Sequence, residues 1–92
     1  MTILREPKSP NDPEALALAA LGWVLSDEHR ARRLLALTGL TPEALREGLQ
    51  ERGVLAAVLE FLTAHEPDLI AAAHELGIEP AELAAAARGL VQ

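Results

Sequence analysis

The chain contains no cysteine, so neither a disulfide nor a thiolate metal site can hold its small core together. It also lacks tyrosine, and Trp23 and Phe61 are its only aromatic residues. Few β-branched residues are present, which argues against a sheet because strands favour β-branched and aromatic side chains. Stability must therefore come from burying small aliphatic side chains.

Basic residues are scarce as well. Eight Lys and Arg face 14 Asp and Glu, for a net charge of −6 at pH 7. Most of the acidic excess lies in residues 53–92, where Arg88 is the only Lys or Arg against six Asp and Glu. The negative electrostatic potential of such a chain repels nucleic acid and anionic lipid, although a local basic patch is still compatible with it.

No long apolar run is present. The longest charge-free apolar stretch, Ala15–Leu25, has 11 residues, whereas a membrane span needs about 20. Met1–Pro13 lacks an apolar stretch of signal-peptide length. We therefore expect no membrane association and a cytoplasmic location.

What the sequence does contain is 18 leucines and 18 alanines, which favour closely packed helices. Helix starts are marked by a cap residue or a proline, as in Asp12-Pro13 and Thr41-Pro42, and Gly39 and Gly77 suit left-handed helix ends. The pattern predicts an all-α fold, a compact bundle of six short helices in one domain over 12–92, after a flexible leader at 1–11. The predicted helices are 13–25, 27–38, 42–51, 54–64, 67–76 and 80–90.

Two of these helices, the first and the fourth, are apolar almost all round, which predicts that both are buried on most sides and cross at the centre. Trp23 and Phe61, one on each, are the predicted core anchors. The other helices show one apolar stripe each. A shift of the sequence by 38 residues superimposes Trp23 on Phe61, Gly39 on Gly77 and Pro42 on Pro80. This predicts two pseudo-symmetric three-helix halves, 13–52 and 53–90, unless the turns alone create the likeness.

The most concentrated charge lies on the second helix, where Arg30, Arg32 and Arg33 cluster, with Arg46 predicted nearby. Such a patch could hold a phosphate or an acidic partner. The simpler interpretation is a solvated face whose arginines pair with acids of this acidic chain. Segment 34–49 also looks like a helix-turn-helix, but Glu43, Glu47 and Glu51 would line the exposed side of its reading helix and repel phosphates.

The sequence gives little support for a metal site or a catalytic site. His29, His65 and His74 lack the spacing of a helix-borne metal site. Glu60 interrupts the fourth apolar helix, and it would suggest a site only if it were buried. No nucleophile stands beside a base, and no glycine-rich phosphate loop occurs. We therefore predict no catalytic residue, no metal and no cofactor, and hence a protein that is not an enzyme.

Four segments together resemble an uncharacterised family of short bacterial proteins, a domain of unknown function. They are Leu21-Gly22-Trp23, Leu35 to Pro42, Leu55 to Leu62 and Gly77 to Pro80. The resemblance covers 13–90 and implies a small helical protein with no known activity. The sequence as a whole favours a small non-enzymatic interaction or regulatory module that binds an unidentified protein or a second copy of itself. A divergent DNA-binding helix-turn-helix protein is the alternative.

Overall fold

Six α-helices make up the computed structural model, which describes residues 12–91 and has no strand in that range. The all-α prediction is thus confirmed, while the leader predicted for residues 1–11 lies outside the described part. The helices are α1 Pro13–Leu25, α2 Glu28–Thr38, α3 Pro42–Glu47, α4 Arg52–Thr63, α5 Glu66–Leu76 and α6 Pro80–Leu90.

The first three helices begin at side-chain caps, because short polar side chains precede them. Carboxylate oxygens of Asp12 and Asp27 accept backbone N–H groups three residues on, at 3.0 and 2.9 Å. The hydroxyl of Thr41 does the same for α3 at 3.0 Å. The residues that precede α4, α5 and α6 make no such bond. Side-chain capping therefore belongs to the first half of the chain.

Glycine ends α2 and α5 as predicted, since Gly39 and Gly77 have φ of +76° and +73°. In both turns the glycine N–H donates to the carbonyl four residues back, that of Leu35 for Gly39 and that of Ala73 for Gly77. After α5 the N–H of Ile78 also donates to the carbonyl of Ala73, at 2.9 Å. The second turn therefore has the additional bond of a Schellman motif.

The predicted boundary between helices 3 and 4 is wrong, because α3 ends at Glu47 and α4 already begins at Arg52. Gly48, not Gly53, ends α3. Gly48 is buried, and a Cβ atom there would lie 2.6 Å from Cγ2 of Val54, so a side chain has no room. Gly48 therefore lies in close contact with the first turn of α4, directly after α3 ends.

The core forms where α1, α4 and α6 pack against one another, with α2 and α5 laid over them. Its members are almost all leucine, alanine and valine, as the composition predicts. None of the helices in residues 12–91 is long and apolar enough to cross a membrane.

Two expectations about the centre need correction. Besides α1 and α4, α6 is a central helix, because Leu83, Ala86 and Leu90 give it a fully buried stripe. The expectation that α1 is buried on most sides is wrong for its outer face, where Leu18 and Leu25 are 44% and 46% exposed. The pseudo-symmetric halves stay a prediction: α3 has six residues and lies at the margin, whereas its counterpart α6 has 11.

Candidate interaction surface

Helix α1 has two apolar faces, and only one of them is buried. Leu16, Ala20 and Val24, together with Ala17 and Leu21, face the core. The opposite face carries Ala15, Leu18, Gly22 and Leu25, which recur at alternating spacings of three and four residues and so lie in one row. None of the residues between Ala15 and Leu25 is charged, so this row, the outer face of α1, is an apolar surface that other helices leave open.

A groove flanks the outer face of α1 and extends it sideways. At the C-terminal end of α1 it has a volume of about 280 Å³. At the N-terminal end a second depression of about 430 Å³ follows Glu14, Ala15 and Leu18. Leu49 borders both, so the two depressions adjoin. The C-terminal groove is lined by Leu21, Leu25, Leu35, Pro42, Leu45, Arg46 and Leu49.

The early end of α3 accounts for this groove. Pro42, Leu45 and Leu49 recur at helical spacing and turn towards α1, but α3 is too short and too marginal to cover it. Arg46 stands at the rim, exposed and without an ion pair to any of residues 12–91. The groove is therefore apolar inside, with one cation at its edge.

The arginines of the predicted patch turn to separate partners. The guanidinium carbon of Arg30 lies 3.6 Å from the centroid of the Trp23 ring. Its Nη2 donates to the carbonyl of Trp23 at 2.6 Å and to the hydroxyl of Ser26 at 3.1 Å. Its Nε is buried and has no hydrogen-bond partner within the described chain. Arg30 thus connects α2 to the C-terminal end of α1.

Arg33 and Arg32 pair with acids, in line with the simpler interpretation of the patch. Arg33 forms an ion pair with Asp68 of α5, and its guanidinium carbon lies 5.2 Å from the centroid of Phe61. Arg32 pairs with Glu28 at 3.1 Å on the exposed side of α2. Of the four arginines, Arg46 alone lines the apolar groove, while Arg30, Arg32 and Arg33 contact partners within residues 12–91.

Phe61 and Trp23 differ in burial. Phe61 is 6% exposed and belongs to the core cluster. Trp23 is partly buried and packs against the edge of that cluster, with Arg30 covering the ring. Both rings thus touch the core, but Phe61 lies within it and Trp23 lies at its border.

Comparison of the sequence with models of protein families matches residues 10–92, nearly the whole chain, to a single description, protein of unknown function. The chain belongs to the DUF3572 family. The description of DUF3572 includes no activity, ligand or residue role. No curated protein and no solved structure gives a significant match. For this member of DUF3572, roles must therefore be argued from the geometry above.

The geometry gives little support for a functional site at the remaining polar residues of this DUF3572 member. His29, His65, His74 and Glu60 are all exposed. Residues 12–91 contain no cluster of three or more His, Asp or Glu side chains suited to a metal ion. Glu43 and Glu47 are exposed on α3, whereas Glu51 precedes α4, so the acidic stripe predicted for one helix is divided between two.

One carboxylate in the region has a perturbed pKa. The pKa of Asp27 lies below its ordinary value of 3.8, chiefly because the carboxylate accepts the backbone N–H of Arg30 at 2.9 Å. The positive charge of Arg30 acts in the same direction. Asp27 is therefore ionised at neutral pH, and it fixes the start of the helix that carries the arginines.

Proposed function

We propose that this chain is a small, non-enzymatic module of the cytoplasm that binds another protein through the outer face of α1 and the groove beside it. A single observation carries the proposal: α1 presents a charge-free row in which Leu18 and Leu25 are each nearly half exposed. Isolated exposed leucines are common, but a continuous apolar row that opens into a groove is typical of an interaction site.

The energetics support docking at this face. Burying the exposed part of one such leucine is worth about 1 kcal/mol, from the usual value per unit of apolar area. The groove adds Leu35 and Leu49, whose partly exposed surfaces would be covered by the same partner. An amphipathic helix suits such a groove, because it can lay its apolar face along an apolar lining.

Protein binding is proposed ahead of DNA reading because of charge. The exposed side of α3 carries Glu43 and Glu47 beside Arg46, and phosphates would meet two carboxylates for one guanidinium. A reading helix of six residues also offers little length to enter a groove of DNA. A retardation assay at low salt should show no shift with duplex DNA, and a salt-dependent shift would support the alternative.

The proposal is tested by affinity capture from the native host with a matched set of variants. The double variant Leu18→Glu, Leu25→Glu places two charges on the outer face of α1. Ile70→Glu is the control, since Ile70 is 49% exposed on α5, away from the groove. We expect the wild type and Ile70→Glu to recover the same protein and the double variant to lose it.

Circular dichroism must show that all three proteins are equally helical. A partner retained by the double variant would place the interaction elsewhere. Failure of the wild type to recover any specific protein would contradict the proposal in its general form.

A further inference from the structure

We propose that the outer face of α1 binds a second copy of this chain, with the two α1 helices antiparallel about a twofold axis. The inference rests on the proposed function, because it uses the same face, and it names the partner. It depends on how the row of residues along α1 matches itself when one copy is reversed.

Shape is the first argument. The row reads Ala15, Leu18, Gly22, Leu25, and its midpoint falls at Ala20. Reversal about that midpoint places Leu18 against Gly22 of the second copy, and Ala15 against Leu25. Each large side chain then meets a small one, which is how facing helices interdigitate. A parallel pair in register would instead oppose leucine to leucine and glycine to glycine.

Space at Gly22 is the second argument. A Cβ atom built on Gly22 finds no atom within 4 Å, so nothing in the described chain occupies the place in front of it. Glycine inside a helix costs about 1 kcal/mol relative to alanine, and the packing of this chain does not use the room that it leaves. In the antiparallel pair, Leu18 of the second copy fills that room.

Charge is the third argument. At the C-terminal end of the row, Arg46 stands at the rim of the groove. At the N-terminal end, Glu14 lines the depression beside Ala15, where it pairs with Arg52 at 3.4 Å. The antiparallel arrangement brings Arg46 of each copy towards Glu14 of the other. Since the interface is isologous, this contact is made twice.

The size of the face sets the expected affinity. A helix of 13 residues offers a strip roughly 20 Å long and 10 Å wide, from standard helix dimensions. Even with the groove walls added, this lies below the roughly 800 Å² per partner of a standard interface. The dimer is therefore weak and forms reversibly at micromolar or higher concentration.

Sedimentation equilibrium of the full chain, from low-micromolar to near-millimolar concentration, measures the association. Gly22→Leu fills the space that Leu18 of the second copy needs, so we expect it to weaken association by about tenfold or more, the effect of one badly opposed side chain. Ala71→Leu is the control, since Ala71 is exposed on α5, and it should leave association unchanged. A thermal melt confirms that both variants fold.

Orientation is tested by cross-linking, because the chain has no cysteine of its own. Leu18→Cys and Gly22→Cys are oxidised separately and as a mixture. The antiparallel pair predicts that the mixed disulfide forms faster than either symmetrical one. Faster symmetrical cross-linking would overturn the antiparallel arrangement.

A chain that stays monomeric at all concentrations would overturn the self-docking proposal, and so would a dimer that is insensitive to Gly22→Leu. Arg46→Glu gives an independent check, since it should weaken the dimer about threefold to tenfold by reversing one charge in each contact. Loss of a captured partner by the Leu18→Glu, Leu25→Glu variant of a strictly monomeric chain would keep the proposed function and reject only the second copy.

Discussion

Trp23 and Phe61 occupy matching positions when the sequence is shifted by 38 residues, and an arginine of α2 lies beside each ring. Two different arginines contact the rings, Arg30 for Trp23 and Arg33 for Phe61. Only two residues separate α1 from α2, so Arg30 folds back over the tryptophan seven positions before it. Trp23 is therefore covered by Arg30, a residue close to it in the sequence.

Phe61 obtains its arginine from the other half of the chain. The same shift places Asp68 at the position of Arg30. Asp68 carries the wrong charge to lie over a ring, and it instead pairs with Arg33, which lies 5.2 Å from the centroid of Phe61. The second half thus obtains the arginine beside its ring from α2 of the first half.

The largest expected effect is a loss of stability when the ring of Phe61 is removed. Phe61→Ala should destabilise the protein by about 3–5 kcal/mol, the usual loss for a buried ring, because Phe61 is 6% exposed. Urea unfolding measured by circular dichroism provides the value. A loss below about 1 kcal/mol would mean that the core does not include this ring.

Trp23→Ala should cost less, about 1–3 kcal/mol, because the ring is only partly buried at the edge of the core. From the sequence alone, with Trp23 as a core anchor, we would expect about 3–5 kcal/mol. Urea unfolding of both variants under one set of conditions compares the rings directly. Equal losses at the two positions would contradict the difference in burial.

A smaller effect concerns the arginines themselves. Double-mutant cycles with Trp23→Leu and Arg30→Met, and with Phe61→Leu and Arg33→Met, isolate each ring–guanidinium term while keeping most of the apolar volume. We expect a coupling of about 0.5–1 kcal/mol for the first pair. The second pair should couple less, since its separation is 5.2 Å against 3.6 Å. The reverse order would show that the distances do not govern these contacts.

The smallest effect depends on pH. Because the pKa of Asp27 is lowered by folding, its carboxylate stabilises the protein above its ordinary pKa of 3.8, and that contribution is lost as pH falls through the lower, folded value. Asp27→Asn keeps a capping side chain but does not titrate. The difference in Tm between wild type and Asp27→Asn should therefore be constant near neutral pH and change only in acid.

The same acid titration should loosen the Trp23 site before the Phe61 site, since Asp27 begins the turn of α2 that carries Arg30. Tryptophan emission and backbone circular dichroism, followed together, test this order. Coincident transitions would indicate that the start of α2 is not a separate weak point.

Local sequence rules were sufficient for most of the fold. Proline and cap residues placed the helix starts, and Gly39 and Gly77 placed two ends, because these signals act on the backbone within a few residues. The boundary at 48–52 could not be predicted, since it depends on Val54 lying against Gly48. That contact forms only once the turn between α3 and α4 has folded.

The outer face of α1 could not be predicted from the sequence for a related reason. When every position of a helix is apolar, periodicity does not show which face is buried. The charge-free segment Ala15–Leu25 therefore predicts a helix that is buried on most sides, without showing which side stays open. The short α3 leaves one side of it open. The sequence did contain a sign of this, because Gly22 in mid-helix has no role in the core.

The stacking of Arg30 on Trp23 also has a practical consequence. With no tyrosine and one tryptophan in the chain, near-ultraviolet fluorescence comes from a single indole, and that indole is adjacent in sequence to Gly22. The molecule thus carries one intrinsic optical probe at the junction of α1 and α2, and changes at that junction can be followed without attaching a dye.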